Sequence, residues 1–278
     1  VQEVVRMILS AIYEGSFEHT SHGFRPGRSC HTALISVQKS FTAVKWFIEG
    51  DIKGFYDNID HDVLIAILRE RIADDRFLRL IRKFLNAGYI EDWVFHRTYS
   101  GTPQGGIISP ILANIYLDKL DKYIREYIHR FNKGKTRRDN ARYKLYEQRR
   151  HRLAKKLKSE KDEKVREQMT AEIKRLREER NKYPARNEMD SSIKRLKYVR
   201  YADDFLIGIT GSLEDCKTVK EDIKNYLKEA LRLELSDEKT LITNARKPAK
   251  FLGFDIFIRR SNDLRKDKNG RTVRSLGH

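Results

Sequence analysis

Two adjacent carboxylates, Asp203 and Asp204, stand in RYADDFLIG (200–208) between apolar arms. Neighbouring acids repel unless they share a proton or a cation. A hairpin turn chosen for geometry alone favours Asn-Gly or Asp-Gly, and YADD has no glycine. A hard cation resolves the repulsion, and Mg2+ takes oxygen ligands. A third acid, Asp51, lies at the end of the apolar run VKWFIEGDI (44–52). If the two strands are neighbours in one antiparallel sheet, Asp51 and Asp203 face each other. They can then bind two metal ions about 3.5–4 Å apart, the arrangement of in-line phosphoryl transfer. The alternative is a solvated turn at 203–204, with Asp51 as a strand-end cap.

The elements that must hold these acids follow from periodicity. Val4, Val5, Ile8, Leu9 and Ile12 predict one apolar face of a helix over 1–13. In GFRPGRSCHTALISVQKSF, a Gly/Pro turn precedes Cys30, Leu34, Val37 and Phe41 at helical spacing, with Ser29 as N-cap. VKWFIEGDI reads as a strand ending at Asp51, and helices follow over 61–71 and 74–87. WVFHRTYSGTPQGG reads as extended structure broken by a Gly/Pro loop. Leu112, Tyr116, Leu120, Ile124 and Ile128 recur every four residues behind Pro110, which suits a first helical turn. LKYVRYADDFLIGIT reads as two strands around a turn. Ser212 and Asp215 form a capping box ahead of Leu213, Cys216, Val219, Ile223 and Leu227. RLELS, TLIT and KFLGFDIFI read as strands, and the tail from Arg259 as polar and loose.

The 278 residues carry a net charge of +18, with a sequence pI near 9.8. That balance attracts a polyanion, of which nucleic acid is the commonest. The two cysteines, Cys30 and Cys216, fall in apolar helical patterns and read as small core residues, not a disulfide framework. His22, His31, His61 and His96 have no metal-ligand spacing. No apolar run reaches the length of a membrane span. Residues 132–195 are dominated by charge. A thin stripe at Leu153, Leu157, Val165, Met169, Ile173 and Leu176 predicts a solvated helix or helical hairpin ended by Pro184. This arm reads as an inert insertion, as an RNA-binding element, or as the seam of a homodimer. The basic residues at its start, Lys133, Lys135, Arg137 and Arg138, favour RNA.

GFRPGRSCHTAL, DIKGFYDNIDHDVL, GTPQGGIISPILANIYLDKLD, RYADDFLIG, LSDEKTLIT and KFLGFDI, in this order, closely resemble the reverse transcriptase domain of group II intron-encoded proteins, the maturases. Retron and other bacterial reverse transcriptases share YADD and PQG, whereas GFRPGRS with GTPQGGIISPILANIYL looks more like the group II intron lineage. The resemblance implies an α+β right-hand polymerase of fingers and palm. Its palm would be a split βαβ antiparallel sheet flanked by helices, interrupted by the charged helical insertion. It implies Asp51, Asp203 and Asp204 as the ligands of two Mg2+ ions, helped by the Ile52 carbonyl. One metal would activate a primer 3′-hydroxyl, and the other would hold the triphosphate and the leaving pyrophosphate. Tyr56, with Phe55 as the second choice, would by this resemblance lie under the incoming sugar and exclude a 2′-hydroxyl; core packing is the alternative for Tyr56. Pro103, Gln104 and Gly105 would contact the nucleotide, Gly105 and Gly106 letting backbone approach closely; Gln104 could instead bridge its own loop. Lys239 resembles the lysine near the pyrophosphate, where an ammonium donates a proton or offsets charge. A surface ion pair with Asp237 or Glu238 competes with that role. Phe251, Leu252 and Gly253 resemble the primer grip, or else an ordinary core strand. Arg25 and Arg28 would contact template phosphates or the triphosphate, or fix their loop to a carboxylate.

The expected organisation is fingers over 1–43, palm with fingers elements over 44–131, insertion over 132–195, palm with catalytic hairpin and primer grip over 196–260, and a polar tail over 261–278. The family's further fingers segment and its thumb are expected outside this stretch, so the fragment alone is expected to extend primers weakly or not at all. The implied function is RNA-directed DNA polymerization in intron mobility, together with intron RNA binding in splicing. Partners would be group II intron RNA, an RNA template with DNA primer, and dNTPs, in a bacterial cytoplasmic ribonucleoprotein. The alternatives are a splicing cofactor without polymerase activity and a retron-like bacterial reverse transcriptase.

Overall fold

Short apolar runs separated by long helices build a sheet covered on both faces. The computed structural model describes residues 1–87, 89–91, 94–96, 101–102, 106–187, 190–258, 264–266 and 272–274. Helices are α1 (Gln2–Tyr13), α2 (Cys30–Ser40), α3 (Phe55–Asn58), α4 (His61–Arg69), α5 (Asp75–Asn86), α6 (Ser109–Phe131), α7 (Ala141–Leu157), α8 (Glu163–Asn181) and α9 (Leu213–Leu231). Strands are β1 (Trp46–Gly50), β2 (Tyr89–Glu91), β3 (Val94–His96), β4 (Arg195–Tyr201), β5 (Asp204–Thr210), β6 (Leu241–Asn244), β7 (Ala249–Phe251), β8 (Phe254–Ile256), β9 (Leu264–Lys266) and β10 (Thr272–Arg274). The chain forms two compact units, Val1–Asn132 with Arg195–His278, and Lys133–Lys194.

In the larger unit the strand order is β4-β5-β1-β6, with every pairing antiparallel. With α6 between β1 and β4, and α9 between β5 and β6, this is a β-α-β-β-α-β sheet. Ile48 of β1 stands opposite Ile207 of β5 and Ile242 of β6. Alternation along the strands separates two cores. Ile48, Phe205 and Ile207 pack with Leu112, Tyr116 and Leu120 of α6 and Ile223 and Leu227 of α9. Phe47, Val199 and Leu206 pack with Ala33 and Val37 of α2 and with Ala249 and Phe251 of β7. The capping box at Ser212 and Asp215 is formed, and Ser29 caps α2 by accepting from the Thr32 amide.

Four expectations are corrected. RLELS is not a strand: the Leu233 amide closes the end of α9 on the Leu227 carbonyl, and only Leu235 bridges, to Ile52. The face of α1 that packs inward is Val5, Leu9 and Tyr13, while Val4, Ile8 and Ile12 face outward. Cys216 is buried as expected, but Cys30 is half-buried because it opens α2 at the helix end. Within the tail, β9 and β10 pair antiparallel; the rest of the tail from Arg259 lies outside the described residues.

The smaller unit is the helical hairpin of α7 and α8, each N-capped by its own side chain, Asn140 and Asp162. Leu153, Leu157, Val165, Met169 and Ile173 are half-buried along the seam and Leu176 is buried. Tyr146 stacks on Tyr183 with ring centroids 5.9 Å apart. Glu147 takes Arg150 at 2.6 Å and Arg180 at 2.7 Å, and its carboxyl is held down at about 2, chiefly by the Arg150 hydrogen bond. The two ends of this unit pair with each other, Lys133 amide to Lys194 carbonyl at 3.0 Å and the reverse at 3.2 Å.

Candidate active site

The antiparallel neighbours β1 and β5 bring the acids to one edge of the sheet. Gly50 pairs with Phe205, so one further step of the register sets Asp51 level with Asp204. Tyr201 pairs with Asp204 across the β4–β5 hairpin, leaving Ala202 and Asp203 as its two-residue turn. Ala202 takes φ +53°, a value an alanine adopts only at a cost. Burial pushes the Asp203 carboxyl up, and the charge of Asp51 pushes it further. Asp204 rises from the ordinary 3.8 to about 6, first through burial, then through Asp203 and Asp51, with Lys239 working against the shift. The Lys239 ammonium lies 3.4 Å from an Asp51 carboxylate oxygen. Asp237, one of the two partners offered as the alternative for Lys239, pairs with Lys224 instead. Ile52 bridges Leu235 through the Lys53 amide and the Asp51 carbonyl, each at 2.9 Å, so its own carbonyl is not used by that bridge.

Among the described residues no three acidic, histidine or cysteine side chains close on one point as a ready-made metal cage. Mg2+ does not need one, since it usually keeps several waters and binds one or two carboxylates plus substrate phosphates. A set of oxygen donors in which the charge of Asp51 pushes up the Asp203 and Asp204 carboxyls fits such a cation. The uncompensated charge has a measurable sign. An acid whose folded pKa lies above its unfolded value favours folding at low pH, and that contribution is lost as pH rises through the folded pKa. Metal-free protein therefore loses stability between the ordinary 3.8 and about 6. Asp204→Asn should raise the metal-free Tm at pH ~8 by about 2–4 °C, a gain that vanishes near pH ~4. Thermal melts in EDTA check this; equal melting temperatures at the higher pH would reject the crowding of charge.

The turn is gripped from beneath. Arg200, fully buried, uses all five guanidinium N–H groups. Nε and Nη2 donate to the two carboxylate oxygens of Asp121 at 2.8 and 2.6 Å, and Nη2 also donates to Ser21 Oγ at 2.8 Å. Nη1 donates to the Ala202 carbonyl at 2.8 Å and to Asn114 Oδ1 at 3.2 Å. Burial works against the guanidinium's charge, but Asp121 more than offsets it and keeps Arg200 ionised. Asn114 in turn donates to the Gly23 carbonyl at 2.8 Å. Periodicity gave no signal for this network. The one cue was a cation directly before YADD, at a position flanked by Val199 and Tyr201.

Residues 1–143 and 174–256 match the family described as Reverse transcriptase (RNA-dependent DNA polymerase). The chain belongs to the reverse transcriptase family. It is 48% identical over 270 residues to the group II intron-encoded protein LtrA of Lactococcus lactis, covering 96% of this chain and 44% of LtrA. It is 42% identical over 280 residues to the putative COX1/OXI3 intron 1 protein of Saccharomyces cerevisiae, covering 99% of this chain and 32% of that protein. The chain thus spans less than half the length of these relatives. The fold also matches telomerase from Candida albicans, solved in complex with a fragment of telomeric RNA, at TM-score 0.51 and 15% identity, over 99% of this chain and 39% of that one. The mixed helices and antiparallel sheet are those of a polymerase fingers and palm.

Within this reverse transcriptase domain the remaining predicted residues separate clearly. Tyr56 is half-buried beside the acids; burial, then Asp203, pushes its hydroxyl up to about 12. Phe55 is 2% exposed and packs into the core beside Tyr116, which closes it off from a ligand. Pro103, Gln104 and Gly105 lie outside the described residues. The strand-side end of their loop is anchored at Tyr56: the Thr102 amide donates to the Tyr56 carbonyl at 2.7 Å, and His61 Nε2 meets the Gly101 carbonyl at 2.6 Å. His61 had been given no role by its spacing; it is a buried loop anchor.

Phe251 is buried in β7, and Leu252 and Gly253 form the β7–β8 turn with φ +52° and +78°. Glu49 holds this hairpin to β1 by accepting from the Lys250 amide at 2.7 Å. Arg25 is turned inward, onto the Glu14 carboxylate at 2.8 Å and the Glu18 and Ser21 carbonyls, so it fixes its loop to a carboxylate. Arg28 donates to the His19 and Ser21 carbonyls of the same loop. Lys133, Lys135, Arg137 and Arg138 belong to the smaller unit, where Arg138 also holds Asp190 at 3.1 Å. No described helix is long and apolar enough to cross a membrane.

Proposed function

We propose that this chain is the fingers-and-palm part of an RNA-directed DNA polymerase encoded by a group II intron, which also binds the intron RNA in splicing. The single observation carrying this reading is the assembly of Asp51, Asp203 and Asp204 at one sheet edge, with the carboxyls of Asp203 and Asp204 pushed up and a lysine against Asp51. Residues 1–43 are read as fingers, and 44–131 with 196–260 as the palm. The relationship to LtrA, a group II intron-encoded protein of a bacterium, supports the intron origin; intron RNA as partner and a bacterial cytoplasmic ribonucleoprotein as the setting belong to the same reading.

In this reading the three aspartates, with the Ile52 carbonyl, hold two Mg2+ ions. Bound Mg2+ supplies the Lewis acidity of in-line displacement, activating a 3′-hydroxyl and stabilising a leaving pyrophosphate. Lys239 offsets negative charge beside Asp51 and gives a proton or a hydrogen bond to the departing phosphate. Tyr56, whose hydroxyl stays protonated at neutral pH, lies under the deoxyribose and leaves no room for a 2′-hydroxyl. Pro103, Gln104 and Gly105 contact the incoming nucleotide. The hairpin turn at Leu252 and Gly253 supports the primer end. Lys133, Lys135, Arg137 and the exposed end of Arg138 take RNA phosphates.

The test is primer extension by the full-length parent protein on an RNA template with dNTPs and Mg2+, with RNA binding measured in parallel. DNA product that requires Mg2+ is expected. RNA affinity should fall by about 10³-fold between roughly 50 and 200 mM salt, as several phosphate contacts release counterions. A protein that binds RNA and never extends would leave the splicing cofactor as the function. A flat salt response would remove the basic surface as the RNA site.

A further inference from the structure

A fully buried guanidinium at the end of a catalytic strand needs a reason beyond stability. Removing a charge from water costs several kcal/mol, and buried ion pairs are often no more stabilising than apolar residues of the same shape. What the Arg200–Asp121 pair supplies, and an apolar pair cannot, is direction. Asp121 fixes the guanidinium plane through two bonds, at 2.8 and 2.6 Å. Ser21 and Asn114 hold its other edges. The remaining N–H is thereby aimed at the carbonyl of Ala202, the residue immediately before Asp203. That carbonyl belongs to the residue at φ +53°, which needs outside support to keep its conformation.

We propose that Arg200 is a positioning residue for nucleotidyl transfer. Anchored by Asp121 and Asn114 of α6 and by Ser21, it sets the Ala202 carbonyl and so aims Asp203 and Asp204 at the metal position beside Asp51. Arg200 touches neither metal nor substrate; it acts through the turn. The proposal rests on the polymerase reading for its catalytic consequence, but its geometric claim is separate: the network governs how well the acids hold a divalent cation.

The experiment uses the full-length protein. Arg200→Lys keeps the charge but has three donors on a flexible stem, so it cannot hold Asp121 and Ala202 together. We expect kcat for extension to fall by about 10–100-fold, the usual effect of losing an orienting partner behind a ligand. The KM for dNTP and the affinity for template–primer should stay within about twofold. Mn2+ binding, followed by electron paramagnetic resonance without substrate, should weaken by about tenfold. The second variant is the double substitution Arg200→Met/Asp121→Leu, which replaces the pair by apolar groups of similar volume. We expect it to recover the wild-type Tm while kcat stays low. Recovery of kcat along with Tm would make the network merely structural and overturn the proposal. If Arg200→Lys does not fold, Ser21→Ala removes one acceptor at the network's edge, and kcat should fall about 3–10-fold at unchanged KM. If even the wild type extends no primer, the polymerase reading fails and Mn2+ binding decides alone: equal affinity in wild type and variant overturns the positioning role, and weaker binding sustains it.

Discussion

Asp203→Asn in the full-length protein should reduce primer extension by about 10³-fold or more, the several kcal/mol expected when a metal ligand is lost. RNA affinity should stay within about twofold, because phosphate contacts come from cations elsewhere. The substitution isolates charge. Asparagine matches the side chain in size, and Ala202, which carries the positive φ, is untouched. The carboxyl that is lost is half-buried and crowded by Asp51, so removing it relieves the empty site while depriving a cation of a ligand. Single-turnover extension and filter binding on the same preparations separate the two effects. Activity within tenfold of wild type would mean that Asp203 is no metal ligand, and the acids would revert to a solvated turn.

Gly23→Ala should be nearly as damaging, at a residue with no chemistry of its own. A Cβ there would stand 2.3 Å from the Ala202 amide nitrogen and 3.1 Å from the Ala202 Cα and the Tyr201 carbonyl carbon. All three are backbone atoms, so no side chain can swing away. Either the 21–28 loop lifts or the β4–β5 turn shifts, by about 1 Å, and under the proposed polymerase function a misplacement of that size costs roughly 10²-fold in rate. Overpacking of this kind also costs about 1–3 kcal/mol of stability. Gly15→Ala is the control, since a Cβ there meets nothing within 4 Å. If both variants extend primers at the wild-type rate, the loop does not support the turn.

This second result gives GFRPGRS a physical meaning that the string of letters did not carry. The stretch resembles a family block, and Arg25 and Arg28 invited a phosphate role. In the fold, Arg25 closes its own loop, and the neighbouring Gly23 lies against the β4–β5 turn. Local signals were legible where local physics decides. Every-fourth-residue spacing marked α6, the capping box marked α9, and apolar arms around YADD marked the β4–β5 hairpin. The juxtaposition of Asp51 with the hairpin followed from assuming adjacent strands, and β1 does pair with β5. What local pattern could not supply was the outcome of competition for backbone groups. RLELS alternates correctly, and Leu231, Leu233 and Leu235 are all buried. Even so, the Leu233 amide closes a helix, so no ladder grows from it. The side-chain partners of Arg200 lie 79, 86 and 179 residues away, beyond any periodicity.

Those separations also bear on how the protein is made. Ser21 and Arg200 are joined by a hydrogen bond across 179 positions. At about 5–20 residues per second, a ribosome needs roughly 10–40 s to travel that distance. During that interval the early loop, joined later by α6, waits for the strand that completes their buried polar cluster. Contacts so distant in sequence are slow to form and come late in folding. The polar cluster under the β4–β5 turn therefore cannot be completed until the strand carrying Arg200 has emerged and docked.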